Sequence, residues 1–242
     1  MPLPFDIRDP AWMAPRYGMN SRIVKNRVVL VRHGESSQNR DFVMTGVGES
    51  ATGKPELTEM GVAQAKEVAD YLSHASFSAV EVSPLSRAIE TAAPFVAQLD
   101  PSLVRVKFDL RERRFGESLV IQKLPVGWDL ISDDPELVDP ATWIRPNESM
   151  SEFKARVEAL KDRWRRTGSP QERRQTLVFA HSLLISQLIG DIETGPFFHV
   201  ANGSITVIDF ADDGSMHVHM VNKTDHLSHP TGHHTPFTNE RE

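Results

Sequence analysis

Residues 28–39 read VVLVRHGESSQN, and this stretch limits what the chain can fold into more than any other. Val28 to Val31 is short, wholly apolar and rich in β-branched side chains, the composition of a strand buried on both faces of a sheet. The run stops at Arg32, His33 and Gly34, and Glu35 and Ser36 are suited to open a helix directly after it. In an open parallel sheet the chemistry lies just past the carboxyl ends of the strands. A guanidinium, an imidazole and a permissive glycine at that point suit an oxyanion such as phosphate, on which fixed donors and helix partial charge converge. Taken alone, the stretch reads equally well with His33 as a hydrogen-bonded core histidine and Arg32 as a surface cation.

The remaining apolar runs alternate between strand and helix character. Thr58 is an N-cap candidate for a helix whose Val62, Ala65, Ala69 and Leu72 recur at three- and four-residue steps, predicting a core stripe. Gly61 in its first turn weakens the helix relative to alanine, which points to a close packing contact. Ala79 to Val82 predicts a second strand. The helix after it presents Leu85, Ala88, Ile89, Ala92, Val96 and Leu99 on one face and carries Arg87 in its first turn. A cation there opposes the helix dipole unless an anion is bound between them. Val104 to Phe108 predicts a third strand.

Leu110 to Gly116 follows, reading LRERRFG. A solvated Glu112 among these arginines would have its pKa pulled down, whereas a dry pocket or a neighbouring bound anion would favour its neutral form. Only the second arrangement makes it an acid near neutrality. Residues 117–147 read as irregular. Ser149 or Ser151 then opens a helix with Met150, Phe153, Val157, Leu160 and Trp164 on one stripe, and Arg163, Arg165 and Arg166 on an expected solvated face.

Thr176 to Ala180 is again strand-like and again ends in a histidine, His181, before the apolar helix LLISQLIG. If the two strands are neighbours, both imidazoles reach one pocket. Ser204 to Phe210 and Met216 to Val221 predict a terminal hairpin. The chain is thus expected to be an α/β protein: three layers, with a mostly parallel central sheet flanked by helices.

The 242 residues contain no Gly/Ser linker or charge block, so a single domain over 27–227 is expected, preceded by an extension over 1–26 and followed by a His-rich tail over 228–242. A net charge of -6 argues against general nucleic-acid binding, and no apolar run is long enough for a membrane span. The lack of cysteine rules out thiolate chemistry and fits a reducing cytoplasm. His217, His219, His226, His229, His233 and His234 read either as metal ligands or as a solvated tail, and without acidic or cysteine partners at ligand spacing no metal is assigned.

Taken together, LVRHGESSQN at 30–39, LTEMGVAQA at 57–65, VSPLSRAIETA at 82–92, LRERRFG at 110–116, NESM at 147–150, FAHS at 179–182, NGSI at 202–205 and NKTDHL at 222–227 resemble the histidine phosphatase superfamily, with its phosphoglycerate mutase-like fold. The resemblance implies His33 as a nucleophile that becomes a phosphohistidine, Arg32, Arg87 and His181 as the other members of the phosphate pocket, Glu112 as the proton donor, and Asn39 as a contact to substrate phosphate. It implies a small phosphomonoester as substrate, no cofactor, and symmetric self-association by analogy with family dimers. The interval from Glu112 to His181 is shorter than in the mutases, which favours hydrolysis over isomerisation. A cofactor-dependent phosphoglycerate mutase and a catalytically inactive phosphate-binding or scaffold protein are the alternatives.

Overall fold

The computed structural model describes residues 23–40, 56–113, 128–131, 148–191, 193 and 200–231. Most of the expected extension over 1–26, most of the stretch 117–147, and His233 and His234 of the tail lie outside the described residues.

The first apolar run is the middle of strand β1 (Val24–Arg32), which starts inside the expected N-terminal extension. After it come α1 (Glu59–Leu72), β2 (Ala79–Val82), α2 (Ser86–Val96), β3 (Val104–Lys107), β4 (Asp129–Ile131), α3 (Met150–Arg166), β5 (Arg174–Ala180), α4 (Ser182–Ile189), β6 (Ile205–Ala211) and β7 (Met216–Lys223). Among the described residues the strands form one seven-stranded sheet in the order β4-β3-β2-β5-β1-β6-β7. Pairing is parallel from β4 across to β1, and β6 runs antiparallel to both β1 and β7. The mostly parallel α/β sheet is therefore present, with the predicted hairpin at one edge. The short strand β4 falls within the stretch read as irregular.

Alternation along β1 builds the three layers. Val29 and Val31 join the core under α1 and α2, while Val28 and Leu30 join the core under α3 and α4. Each such buried aliphatic side chain contributes about 1.5–3 kcal/mol relative to its exposed state. The Thr58 hydroxyl caps α1 by accepting from Gly61 N at 3.1 Å. Ser149 opens α3 with a reciprocal capping box to Glu152. The predicted α1 stripe needs one correction: Val62 is 43% exposed, and the buried face is completed by Gly61, Gln64 and Val68. Arg163 likewise leaves the solvated face, because Glu81 on β2 is within reach and takes both of its terminal nitrogens.

The expected His-rich tail begins with residues that bond back to this domain. Ser228 N donates to the Glu67 carboxylate at 3.2 Å, and Gln64 Nε2 donates to His229 O at 3.0 Å and to Thr231 Oγ1 at 2.9 Å. Among the described residues, no helix is long and apolar enough to cross a membrane.

Candidate functional site

β1 and β5 are adjacent and parallel with Arg32 opposite Ala180, so His33 and His181 leave the sheet side by side. Their ring centroids lie 5.2 Å apart. β2 flanks β5 on its other side and delivers Ser83, and the turn after it brings Arg87 to the same place from the first turn of α2. Three strand ends thus converge where the direction of the chain's crossovers changes, the position at which open α/β sheets carry sites.

Each imidazole has a defined hydrogen-bonding state. His33 Nδ1 lies 2.7 Å from Gly34 O and must donate to that carbonyl, which leaves the Nε2 lone pair facing the site. Arg87 Nε donates to that lone pair at 3.1 Å. His181 Nε2 lies 2.7 Å from Ser83 Oγ, and the other group at that hydroxyl, Leu85 N at 3.4 Å, is a donor. The Ser83 proton therefore goes to His181 Nε2, and the neutral ring carries its own proton on Nδ1. That Nδ1 is buried with no partner, as is Arg32 Nε. Orphaned buried donors beside a nucleophilic lone pair call for an acceptor, and an oxyanion supplies several.

Burial and the neighbouring charges of Arg87 and Arg32 hold the His33 pKa well below its ordinary value of 6.5. Burial does the same at His181, reinforced by Arg87, His33 and Arg32. Both rings are neutral near pH 7. Arg32 is lowered by burial to about 10 and keeps its charge; its Nη1 donates to Val200 O.

Glu112 follows the 3-10 turn Phe108–Leu110 and reaches α4, where its Oε2 accepts from Leu183 N at 3.0 Å; its Oε1 accepts from Arg113 N at 3.0 Å. Burial raises its pKa, outweighing the opposing pull of those two N–H groups and of Arg87 and Arg32. Glu112 is half-buried, and of the two environments open from sequence its raised pKa fits the drier one. The flanking Arg111 and Arg113 both bond to Glu148.

Asn39 joins through Asn202, whose Nδ2 donates to His33 O at 3.1 Å and to Asn39 Oδ1 at 2.9 Å. Asn39 Oδ1 also lies 3.1 Å from Ser36 Oγ, so its amide N–H pair is the part suited to an acceptor. Gly203 N donates to Arg32 O at 3.1 Å from a turn with φ +68°, a conformation that favours glycine. Gly34 N donates to Thr91 Oγ1 at 2.9 Å, and Thr91 Oγ1 donates to Arg87 O at 2.6 Å. The six residues singled out from sequence thus belong to one locus. Ser83, Thr91 and Asn202 were not singled out, although VSPLSRAIETA and NGSI contain them.

Among the described residues no three His, Cys, Asp or Glu side chains are grouped to hold a metal ion. His219 Nε2 is instead 2.8 Å from Asp209 Oδ2, beside the buried Arg27–Asp209 pair.

Residues 28–224 match the sequence profile of the histidine phosphatase superfamily, branch 1, and the chain belongs to that family. It is 30% identical over 224 residues to a bifunctional protein of Mycobacterium tuberculosis, covering 86% of this chain and 56% of that protein, so the chain spans little more than half the length of that relative. The alpha-ribazole phosphatase of Shigella flexneri is similar in structure, with a TM-score of 0.57, 25% identity, and coverage of 81% of this chain and 96% of that one. A phosphoglycerate mutase of Bacillus anthracis shares the fold, with a TM-score of 0.59 at 22% identity over 85% of this chain and 97% of its own.

Proposed function

We propose that the protein hydrolyses a small phosphomonoester, without a metal ion, through a phosphohistidine on His33. The observation that carries this reading is the pairing of a neutral His33, whose Nε2 lone pair faces the site, with buried donors on His181 and Arg32 that have no partner. Arg87 Nε–H donates to that lone pair. A bound phosphoryl group offers Arg87 a charged acceptor in exchange, which releases Nε2 for in-line attack while Arg32, Arg87 and His181 Nδ1–H hold the equatorial oxygens. An N–P bond forms, the bond from phosphorus to the ester oxygen breaks, and protonated Glu112 gives its proton to the departing alkoxide. Water then attacks phosphorus, Glu112 takes a proton from it, and the N–P bond breaks to yield inorganic phosphate.

The test is phosphate release from a panel of sugar phosphates, phosphoglycerates, nucleotides and phosphopeptides in the presence of chelator, with rapid quenching of labelled enzyme into alkaline denaturant. Turnover of one substrate group, with label retained on wild type and none on His33→Ala, is the expected result. Full activity in His33→Ala would sink the proposal. Isomerisation of 3-phosphoglycerate dependent on 2,3-bisphosphoglycerate, without net hydrolysis, would replace it by the mutase reading.

A further inference from the structure

Two sets of contacts locate Glu112. Leu183 N and Arg113 N hold the carboxyl itself, and the backbone on either side is tied to a buried ion pair beneath. Arg156 on α3 meets Glu148 with both carboxylate oxygens, Nε to Oε1 at 2.8 Å and Nη2 to Oε2 at 2.7 Å. The remaining nitrogen, Nη1, donates to Asp109 O at 2.7 Å and to Arg111 O at 2.9 Å. Arg111 Nη2 reaches Glu148 Oε1 at 3.4 Å, and Arg113 Nε reaches Glu148 O at 3.3 Å. The residues immediately before and after Glu112 are therefore both bound to Glu148, which is itself only 4% exposed.

We propose that Glu148 and Arg156 are positioning residues, a clamp that fixes the backbone around Glu112 and so sets the reach of its carboxyl to the leaving-group oxygen. The planar guanidinium suits this task because it binds a carboxylate with one edge and two carbonyls with the other, which an ammonium cannot do. α3 supplies a rigid base for it: the capping box at Ser149 fixes the first turn next to Glu148, and Phe153, Val157 and Leu160 are buried under the sheet. The bonds described for Arg156 run to Glu148 and to the carbonyls of Asp109 and Arg111 beside Glu112, and Arg156→Lys keeps the charge that Arg156 adds near His181. Its loss should therefore harm proton delivery more than phosphoryl binding.

The inference rests on Glu112 as the proton donor and is tested so that the two stand or fall separately. An alkyl phosphate needs a proton on its leaving oxygen, whereas 4-nitrophenyl phosphate expels a stable anion and needs little help. The ratio of kcat/KM for the alkyl substrate to that for the aryl substrate is independent of the fraction of enzyme that is folded. In Glu112→Gln this ratio should fall about 100-fold, the low end of general-acid effects. In Arg156→Lys and Glu148→Gln it should fall roughly 10-fold, an intermediate loss because the acid is displaced rather than removed. The double variant Glu112→Gln/Arg156→Lys should show no further fall in the ratio beyond Glu112→Gln alone. The alkaline limb of the alkyl reaction should also move to lower pH in the clamp variants, since a loosened carboxyl gains water and loses its raised pKa.

If a single replacement leaves too little folded protein, Glu148→Gln/Arg156→Gln removes both charges together and strands neither. Parallel loss on both substrates, with an unchanged ratio, overturns the clamp while Glu112→Gln still reports the acid. An unchanged ratio in Glu112→Gln overturns the acid and the clamp with it.

Discussion

At the scale of single residues, the hydroxyl of Ser83 decides which nitrogen of His181 carries the proton. It has one proton to give and gives it to Nε2, so Nδ1–H is the donor left for an oxyanion. Replacing Ser83 by alanine removes that choice and leaves a buried nitrogen without a partner. We expect Ser83→Ala to weaken competitive inhibition by inorganic phosphate roughly tenfold, the equivalent of about 1–1.5 kcal/mol for one hydrogen bond. The 15N shifts of the His181 ring should move from a single tautomer to a mixture. A variant with the wild-type tautomer and inhibition constant would refute the assignment. His33 and His181 are legible in the sequence because each ends an apolar run, a one-dimensional pattern. Ser83 and Asn202 are not legible in role, because their partners lie about a hundred or more residues away and polar pairing leaves no periodicity. Glu112 falls between: its position stands out, but its environment depends on where Arg111 and Arg113 point, and they point to Glu148.

Between elements, the turn after β1 and helix α1 are in contact at two glycines. A Cβ on Gly61 would sit 2.0 Å from Glu35 O, and one on Gly34 would sit 2.6 Å from Gly61 O. The sequence shows Gly61 as a misfit in a helix and so implies a close approach, but the partner is known only once the turn is seen beside it. Two opposing effects meet in Gly61→Ala. Alanine favours the helix by about 0.8–1 kcal/mol, while overpacking against backbone costs about 1–3 kcal/mol because neither side can swing away. Since the clash is with a carbonyl oxygen far inside contact distance, the steric effect should win: we expect a lower Tm and reduced phosphate release, because the displaced turn carries His33. A Tm at or above wild type would show that the turn yields at no cost. Strand β4 is not legible in the sequence, because three residues in a stretch rich in proline carry too little pattern to outweigh their surroundings. The antiparallel edge was legible because Asp212, Asp213 and Gly214 separate two alternating runs, and Gly214 takes φ +82° in the turn.

For the whole molecule, the demand that both imidazoles be neutral sets how the fold responds to acid. His33 and His181 are held well below 6.5 by burial and by Arg87 and Arg32, and His226 is lowered by burial as well. In the unfolded chain all three take up a proton near their ordinary pKa, so below 6.5 the unfolded state binds more protons than the folded one. Their contribution to stability is complete above 6.5 and is lost as the pH falls toward the folded values. Glu112 acts in the opposite sense: its folded pKa is raised from 4.5, so its contribution is complete below 4.5 and lost as the pH rises through the folded value. Asp209 is lowered from 3.8 and acts only in more acidic solution. Between pH 7 and 5 the histidines outnumber the carboxyl, and each proton in excess on the unfolded chain changes stability by about 1.4 kcal/mol per pH unit. The urea midpoint should therefore fall between pH 7 and 5.5 at constant m, and His33→Gln/His181→Gln should flatten the slope by removing the two largest contributors. A midpoint that holds steady or rises on acidification would mean that the rings already share a proton in the folded state, which would also deprive His33 of the lone pair that attack on phosphorus requires.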